Sequence, residues 1–407
     1  MKVLFTFGGM PHYLSALLGK IQQKEVVEIC VVIPDAQGKS IGKGVKLTDE
    51  KEGFKIIKLT EYNSFLKKPF FNGFMSVIKS EKPDLIVIGW PYIVPLSLKF
   101  RLLFYIKRKR IGLIFREIPF NVAPYDQAFS YFKKHPIFNE DMNNTTPKGL
   151  KYYLWALTLK YLLKWYYSII DASLAYAISA FEIHKSYGLK EEQIFISCNS
   201  PDTEALIAEK EKLLAEHVEL NYNPFRIIHI GRLVKWKKVD LLLEATAKLY
   251  KEYPQTELVI IGEGPEEENL KKKAEKLNIT ERVNFTGSIY KIDLAKHIMS
   301  SGIYVLAGMG GLSINEAMAF GKPVICSICD GTEKTLVRDG FNGIFFENGN
   351  AQSLFEKIKY LFENQHLIEL MGKNSEFIIR NEVNLSTVST VFLRCFEYVY
   401  DKKRPVR

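Results

Sequence analysis

Short apolar runs alternate with longer amphipathic stretches from the first residues onward. Val3–Phe7 is almost continuously apolar, as a strand buried on both faces must be. Leu14–Gln23 then carries the wider spacing of a helix, and Val26–Ile33 returns to a strand-like run. Asp84–Ile88 and Ile111–Phe115 predict further strands, with a helix over about Pro95–Lys107 between them. The second half repeats the rhythm. Strands are expected at Arg226–Ile230, Glu257–Ile261, Val283–Phe285, Ile303–Leu306 and Pro323–Ile325. Helices at Val239–Tyr250, Pro265–Leu277 and Ser313–Phe320 separate them. Strands joined through helices form parallel sheets covered on both faces. The expected fold class is therefore α/β, with two doubly wound Rossmann-like units. In such folds ligands bind at the carboxyl ends of the strands, here in a cleft between the units.

A chain of 407 residues suits two domains of about 200 residues each. The polar stretch Asn199–Asn223 marks the boundary, giving an N-terminal acceptor-side domain over 1–200 and a donor domain over 201–385. One region breaks the rhythm. Asn121–Gly149 is polar and irregular, with Pro124, Pro136 and Pro147. A structureless loop of this length is usually functional or disordered. Leu150–Ile170 follows it and mixes Tyr152, Tyr153, Trp155, Tyr161, Trp165, Tyr166 and Tyr167 with three lysines. That mixture suits a membrane interface, and equally a core helix that snorkels its lysines. The run Lys107–Arg110 sits at a predicted helix end, where cations complement the helix dipole or attract anionic lipid.

Composition is ordinary for a globular protein, with 47% hydrophobic and 25% charged residues. The net charge of +10 favours an anionic partner without saying which. A nucleic-acid partner would rest on charge alone, and none is expected. The five cysteines (Cys30, Cys198, Cys326, Cys329, Cys395) form no disulfide framework. Cys326 and Cys329 make a CxxC, but no second pair or histidine accompanies them as a zinc site needs. The scattered carboxylates show no metal-ligand spacing, so no metal and no cofactor is expected. The N-terminal apolar run is too short for a signal peptide, and no apolar run is long enough to span a membrane. The expected location is cytoplasmic, peripheral at the inner membrane face if the aromatic helix binds lipid.

Two segments carry the chemistry. Gly311-Leu312-Ser313-Ile314-Asn315-Glu316 runs into Gly321-Lys322-Pro323: a glycine loop, a helix start, a glycine stop and a strand. Glycine lets backbone approach a ligand closely, and a helix start presents N–H groups to an anion such as a diphosphate. Ser313-x-x-Glu316 also has the form of a capping box, as does Ser179-x-x-Glu182. Gly231-Arg232-Leu233-Val234-Lys235-Trp236-Lys237-Lys238 follows the first strand of the second unit. Arg232 offers a fork of donors and Lys237 a point charge to a phosphate, unless the segment is simply a basic surface loop.

Together these segments resemble the retaining family 4 glycosyltransferases, which have the GT-B fold. The resemblance runs from about Arg226 to Asn350. It takes in Gly262-Glu263-Gly264-Pro265, Phe285-Thr286-Gly287, Gly331-Thr332-Glu333 and Gly340-Phe341-Asn342-Gly343, and more loosely Gly8-Gly9 and Asn199-Ser200-Pro201-Asp202. It implies a nucleoside diphosphate sugar donor whose diphosphate meets Arg232 and Lys237 and whose ribose meets Glu316. Backbone of Gly311, Leu312 and Ser313 would face the phosphates or sugar, Ser288 and Ile289 would hold the base, and Gly9 would close over the diphosphate. The acceptor would be a carbohydrate or a lipid-linked hydroxyl. The helix expected at Val388–Asp401, within 386–407, would cross back onto the first domain.

Two positions depart from the family. Gly308 stands eight residues before Glu316, where the family has a glutamate that contacts the transferred sugar. The stretch Phe115-Arg116-Glu117-Ile118-Pro119 lacks the histidine the family commonly has there. Arg116, Glu117 and His12 are the candidates to contact sugar or acceptor in its place. The altered sugar half also raises a second reading, a non-catalytic GT-B subunit that binds nucleotide sugar or glycan.

Overall fold

A computed structural model describes the chain apart from residues 25, 37–52, 65–66, 118–121, 140, 330, 332 and 405–407 and the side chain of residue 12. Ile118, Pro119 and Thr332 of the expected motifs therefore lie outside the described residues, as does the His12 side chain. The chain divides into two compact units. The first is Met1–Ile137, Asn144–Cys198 and Ser386–Arg407, and the second is Phe138–Asn143 and Asn199–Leu385.

The first unit is built on a parallel sheet of β1 (Lys2–Thr6), β2 (Glu28–Pro34), β3 (Lys55–Leu59), β6 (Leu85–Gly89), β7 (Gly112–Glu117), β8 (Ala172–Ala175) and β9 (Ile194–Ile196). Its order is β3-β2-β1-β6-β7-β8-β9. A small antiparallel hairpin, β4 (Glu61–Asn63) and β5 (Pro69–Phe71), lies outside it. Leu4, Val31, Ile86 and Phe115 are wholly buried in the sheet, which is why these runs do not alternate with polar residues.

The second unit repeats the plan with β10 (Asn223–Ile230), β11 (Glu257–Ile261), β12 (Val283–Gly287), β13 (Ser301–Leu306), β14 (Val324–Ser327) and β15 (Gly343–Phe346). Its order is β12-β11-β10-β13-β14-β15, all parallel. Each sheet thus reverses its strand order once, between β1 and β6 and between β10 and β13. Loops leaving the carboxyl ends of two such neighbours diverge and leave a crevice for a ligand.

Several elements differ from expectation. The helix expected over Pro95–Lys107 is two, Ile93–Ser97 and Phe100–Arg108. The polar stretch expected as a boundary contains the helix Thr203–Ala215, started by the Asp202 side chain, which accepts the Ala205 N–H at 3.0 Å. The supposedly structureless region includes the short helix Tyr131–Lys134, and Ala123 and Phe132 pack there with Tyr152 in a small core of their own. The C-terminal helix Leu385–Lys403 returns to the first unit for most of its length. Phe396 meets Phe5 edge-on at 6.0 Å, and Lys403 pairs with Asp171 at 2.8 Å. Among the described residues no helix is long and apolar enough to cross a membrane.

Candidate donor-binding site

The loops after β10, β11, β12 and β13 are stitched together by backbone. The N–H of Gly231 donates to Ile261 O, that of Leu233 to Glu263 O, and that of Gly262 to Gly287 O, each at 2.9 Å. Gly262 is required for this closeness, since a Cβ on it would lie 2.1 Å from Gly231 O. Across the switch point, Met309 N–H donates to Trp236 O at 2.9 Å, tying the loop after β13 to the loop after β10.

This stitching positions the two expected cations differently. Lys237 closes a single 3₁₀ turn, Lys235–Lys237, and is buried. Its Nζ donates to Met309 O and Gly310 O, both at 3.0 Å, so the ammonium is held directly beside Gly311. Arg232 is half-buried, with its guanidinium 5.5 Å from the Trp236 ring centroid. A flat aromatic face orients the fork of donors without neutralising it. Trp236 was not singled out by the sequence; only its place between the two cations hinted at it.

The same contact accounts for Gly308. A Cβ there would lie 2.0 Å from Trp236 O and 2.6 Å from the carbonyl carbon of Lys237. The obstacle is backbone, which cannot swing aside. With residues 236–237 in this place, position 308 cannot hold a glutamate, or any side chain.

Glu316 lies one turn into the helix Ser313–Ala319. The capping-box reading is not what the structure shows. Leu312 is the N-cap, no side chain caps the helix, and Ser313 is already helical. Its Oγ instead accepts from the wholly buried Tyr304 hydroxyl at 2.8 Å, which pins the helix start to β13. Ser179 likewise makes no side-chain cap. Desolvation pushes the Glu316 carboxyl up to about 7, opposed by the nearby Lys237 charge. A carboxyl near neutrality beside a glycine loop is a candidate ligand group rather than a capping device. His229 of β10 is buried close to Gly231 and the Lys237 charge. Burial lowers its pKa to about 4, so the imidazole is neutral, and its Nδ1 lies 3.0 Å from Val305 O.

The remaining expected residues scatter. Ser288 is exposed and its N–H donates to the Glu263 carboxylate at 3.1 Å, while Ile289 beside it is half-buried. Glu263 thus orders the loop expected to hold the base, a role that spacing did not suggest. In the first unit, Gly9, Arg116 and Glu117 all line one cavity. Glu117 is buried there; its carboxylate accepts from the Tyr167 hydroxyl and stands 3.0 Å from His184 Nε2. Among the described residues no group of three or more His, Cys, Asp or Glu stands together as a metal site.

Two parallel-sheet units, each with one order reversal, define the GT-B fold class. Over almost the whole chain the fold is similar to that of Anabaena HepE, solved with UDP and glucose (TM-score 0.66, 19% identity, 98% of this chain and 99% of that one). Residues 210–376 match the family model of glycosyl transferases group 1. An uncharacterized glycosyltransferase of Haemophilus influenzae is 33% identical over 175 residues, covering 42% of this chain and 49% of that protein. The alpha-monoglucosyldiacylglycerol synthase of Acholeplasma laidlawii is 26% identical over 192 residues, 46% of this chain and 48% of that protein. The chain spans about half the length of these curated relatives.

Proposed function

We propose that the chain is a retaining glycosyltransferase of the family 4 type. It moves a sugar from a nucleoside diphosphate donor to a hydroxyl of a carbohydrate or lipid-linked acceptor, in surface polysaccharide or glycolipid assembly at the cytoplasmic face of a membrane. The observation that carries this reading is the placement of Arg232 and Lys237 after β10, with Lys237 bonded to the loop after β13 and Glu316 in the helix that follows that loop. A neighbour in fold crystallised with UDP and a relative named for glucolipid synthesis support the donor and acceptor classes. As the sugar leaves, negative charge grows on the β-phosphate. Arg232 and Lys237 are fixed before that charge arrives, which is the condition under which such donors are most effective. In this reading the two cations do what a metal ion does elsewhere.

A thermal-shift screen against nucleoside diphosphate sugars tests it. A ligand at a hundred times its Kd stabilises the native state by about 2.7 kcal/mol, so the right donor stands out. The ribose hydroxyls donate to Glu316, and only the ionised carboxylate is purely an acceptor. Donor affinity is therefore expected to rise as pH passes upward through about 7 and to level off above it. Glu316→Gln is expected to weaken donor binding about tenfold and to flatten that pH profile. A panel without any shift would favour a non-catalytic subunit that binds glycan.

The reading extends to an anionic membrane surface. Leu150, Leu154, Leu157, Tyr161 and Trp165 recur at helical spacing and form an exposed stripe on the helix Leu150–Ile169. That helix carries three lysines and no carboxylate. Phe100 and Phe104 stand exposed on the helix Phe100–Arg108, which bears Arg101, Lys107 and Arg108 and again no carboxylate, and Lys109 and Arg110 follow it. Two copies of so basic a surface repel each other, whereas an anionic bilayer complements it. Co-sedimentation with phosphatidylglycerol vesicles is expected, weakened by salt and by the double variant Leu154→Glu, Tyr161→Glu. Equal binding to phosphatidylcholine vesicles would count against this surface.

A further inference from the structure

The first unit has its own switch point, between β1 and β6, and a cavity of about 720 Å³ opens there. That volume suits a small organic ligand or part of a larger one. Phe7, Gly8 and Gly9 after β1, Gly89 and Trp90 at β6, and Arg116 at the end of β7 line it. The helix Leu150–Ile169 supplies a wall through Trp155, Leu159, Leu162, Leu163 and Tyr166.

The described lining residues are mostly apolar and aromatic, with no Asn, Gln, Asp, His or Ser among them. Glu117, the one carboxylate among them, is already engaged by Tyr167 and His184. The cations are Lys68 and Arg116. Lys68 Nζ sits 5.4 Å from the Trp90 ring, and the Arg116 guanidinium 5.8 Å from Phe7 and 5.9 Å from Tyr176. Aromatic faces orient both charges and leave their hydrogen-bond donors for an anion.

Apolar walls with two oriented cations fit an amphiphile. We propose that this cavity takes a hydrocarbon chain bearing a phosphate, the chain against the helix wall and the phosphate at Lys68 and Arg116. The helix also carries the exposed apolar stripe on its other side. Leu162 of the wall and Trp165 of the stripe are three residues apart, hence neighbours on the helix surface. A chain too long for the cavity therefore has an apolar path outward around the helix. Calling the occupant the acceptor rests on the glycosyltransferase reading; the affinity for an alkyl phosphate does not.

Trp90 and Trp155 line the cavity, so their emission reports its filling in the full chain. Decyl phosphate below its micelle concentration is expected to bind saturably, with inorganic phosphate, decanol and glucose each at least about tenfold weaker. Leu159→Gln on the wall, and Leu159→Trp, which fills the cavity, are each expected to cut that affinity about tenfold. Leu154→Gln on the outer stripe is expected to leave it unchanged, and Arg116→Gln to bring decyl phosphate down to the level of decanol. Glucose binding as tightly as decyl phosphate, or both Leu159 variants binding like wild type, would overturn the assignment. A nucleotide-sugar thermal shift on the same preparation keeps the two readings apart. A donor shift without decyl phosphate binding removes the amphiphile site alone. Decyl phosphate binding without any donor shift upholds the amphiphile site and removes the transferase reading.

Discussion

Arg232→Ala is expected to lower kcat/KM for sugar transfer by about 10²–10³-fold, the usual cost of losing one prearranged donor at a developing negative charge. Its melting temperature should stay close to wild type, because the side chain is half-buried and stacked on Trp236 rather than embedded in the core. Lys237→Ala is expected to lose at least as much activity and, unlike Arg232→Ala, stability as well. Its ammonium bridges the Met309 and Gly310 carbonyls, so removal frees the loop after β13 in addition to deleting the charge. Loss of these charge-assisted bonds is worth about 1–3 kcal/mol. Single-turnover rates with saturating donor, set beside melting curves, separate the two effects. Near-wild-type turnover in either variant would sink the assignment of these cations to the leaving group.

The difference between the two cations could not be read from their spacing. Arg232 and Lys237 lie on one short segment, and their proximity after a strand was legible from local sequence. What anchors Lys237 was not, because Met309 and Gly310 reach it across the sheet from another strand. The same holds for Tyr304, which reads as one more apolar strand residue until its hydroxyl is found on Ser313. It holds for Glu263, whose carboxylate takes the Ser288 N–H of the neighbouring loop. The capping-box pattern misled for a related reason: local spacing offered Ser313 to the backbone, but a buried phenol beneath it competed and won. The strand rhythm was recovered at β1, β2, β6, β7 and β10 to β14, but the short strands β4, β5, β8, β9 and β15, of three or four residues each, were not expected. It was also missed at β3, where Lys55 and Lys58 interrupt the apolar run at an edge of the sheet. The cavity of the first unit draws its lining from several distant segments, and no single motif announces it.

Gly308→Glu, which restores the residue expected in the family, is for these reasons expected to abolish donor binding instead of improving it. The new Cβ alone would meet Trp236 O at 2.0 Å, and the only relief is to move residues 236–237. Those residues carry the Lys237 ammonium, so on the proposed reading the group assigned to the diphosphate is displaced by a side chain meant for the sugar. Even Gly308→Ala is expected to cost about 1–3 kcal/mol from overpacking, with a fall in melting temperature of several degrees and at least about tenfold weaker nucleotide binding. Isothermal titration with the cognate nucleoside diphosphate and a melting curve measure both. If Gly308→Glu binds donor normally and gains transfer, residues 236–237 can retreat from this position and the glycine is a lost contact. If it fails as expected, the backbone of residues 236–237 occupies the ground where a glutamate would stand, and the sugar must be recognised by groups other than a carboxylate at 308.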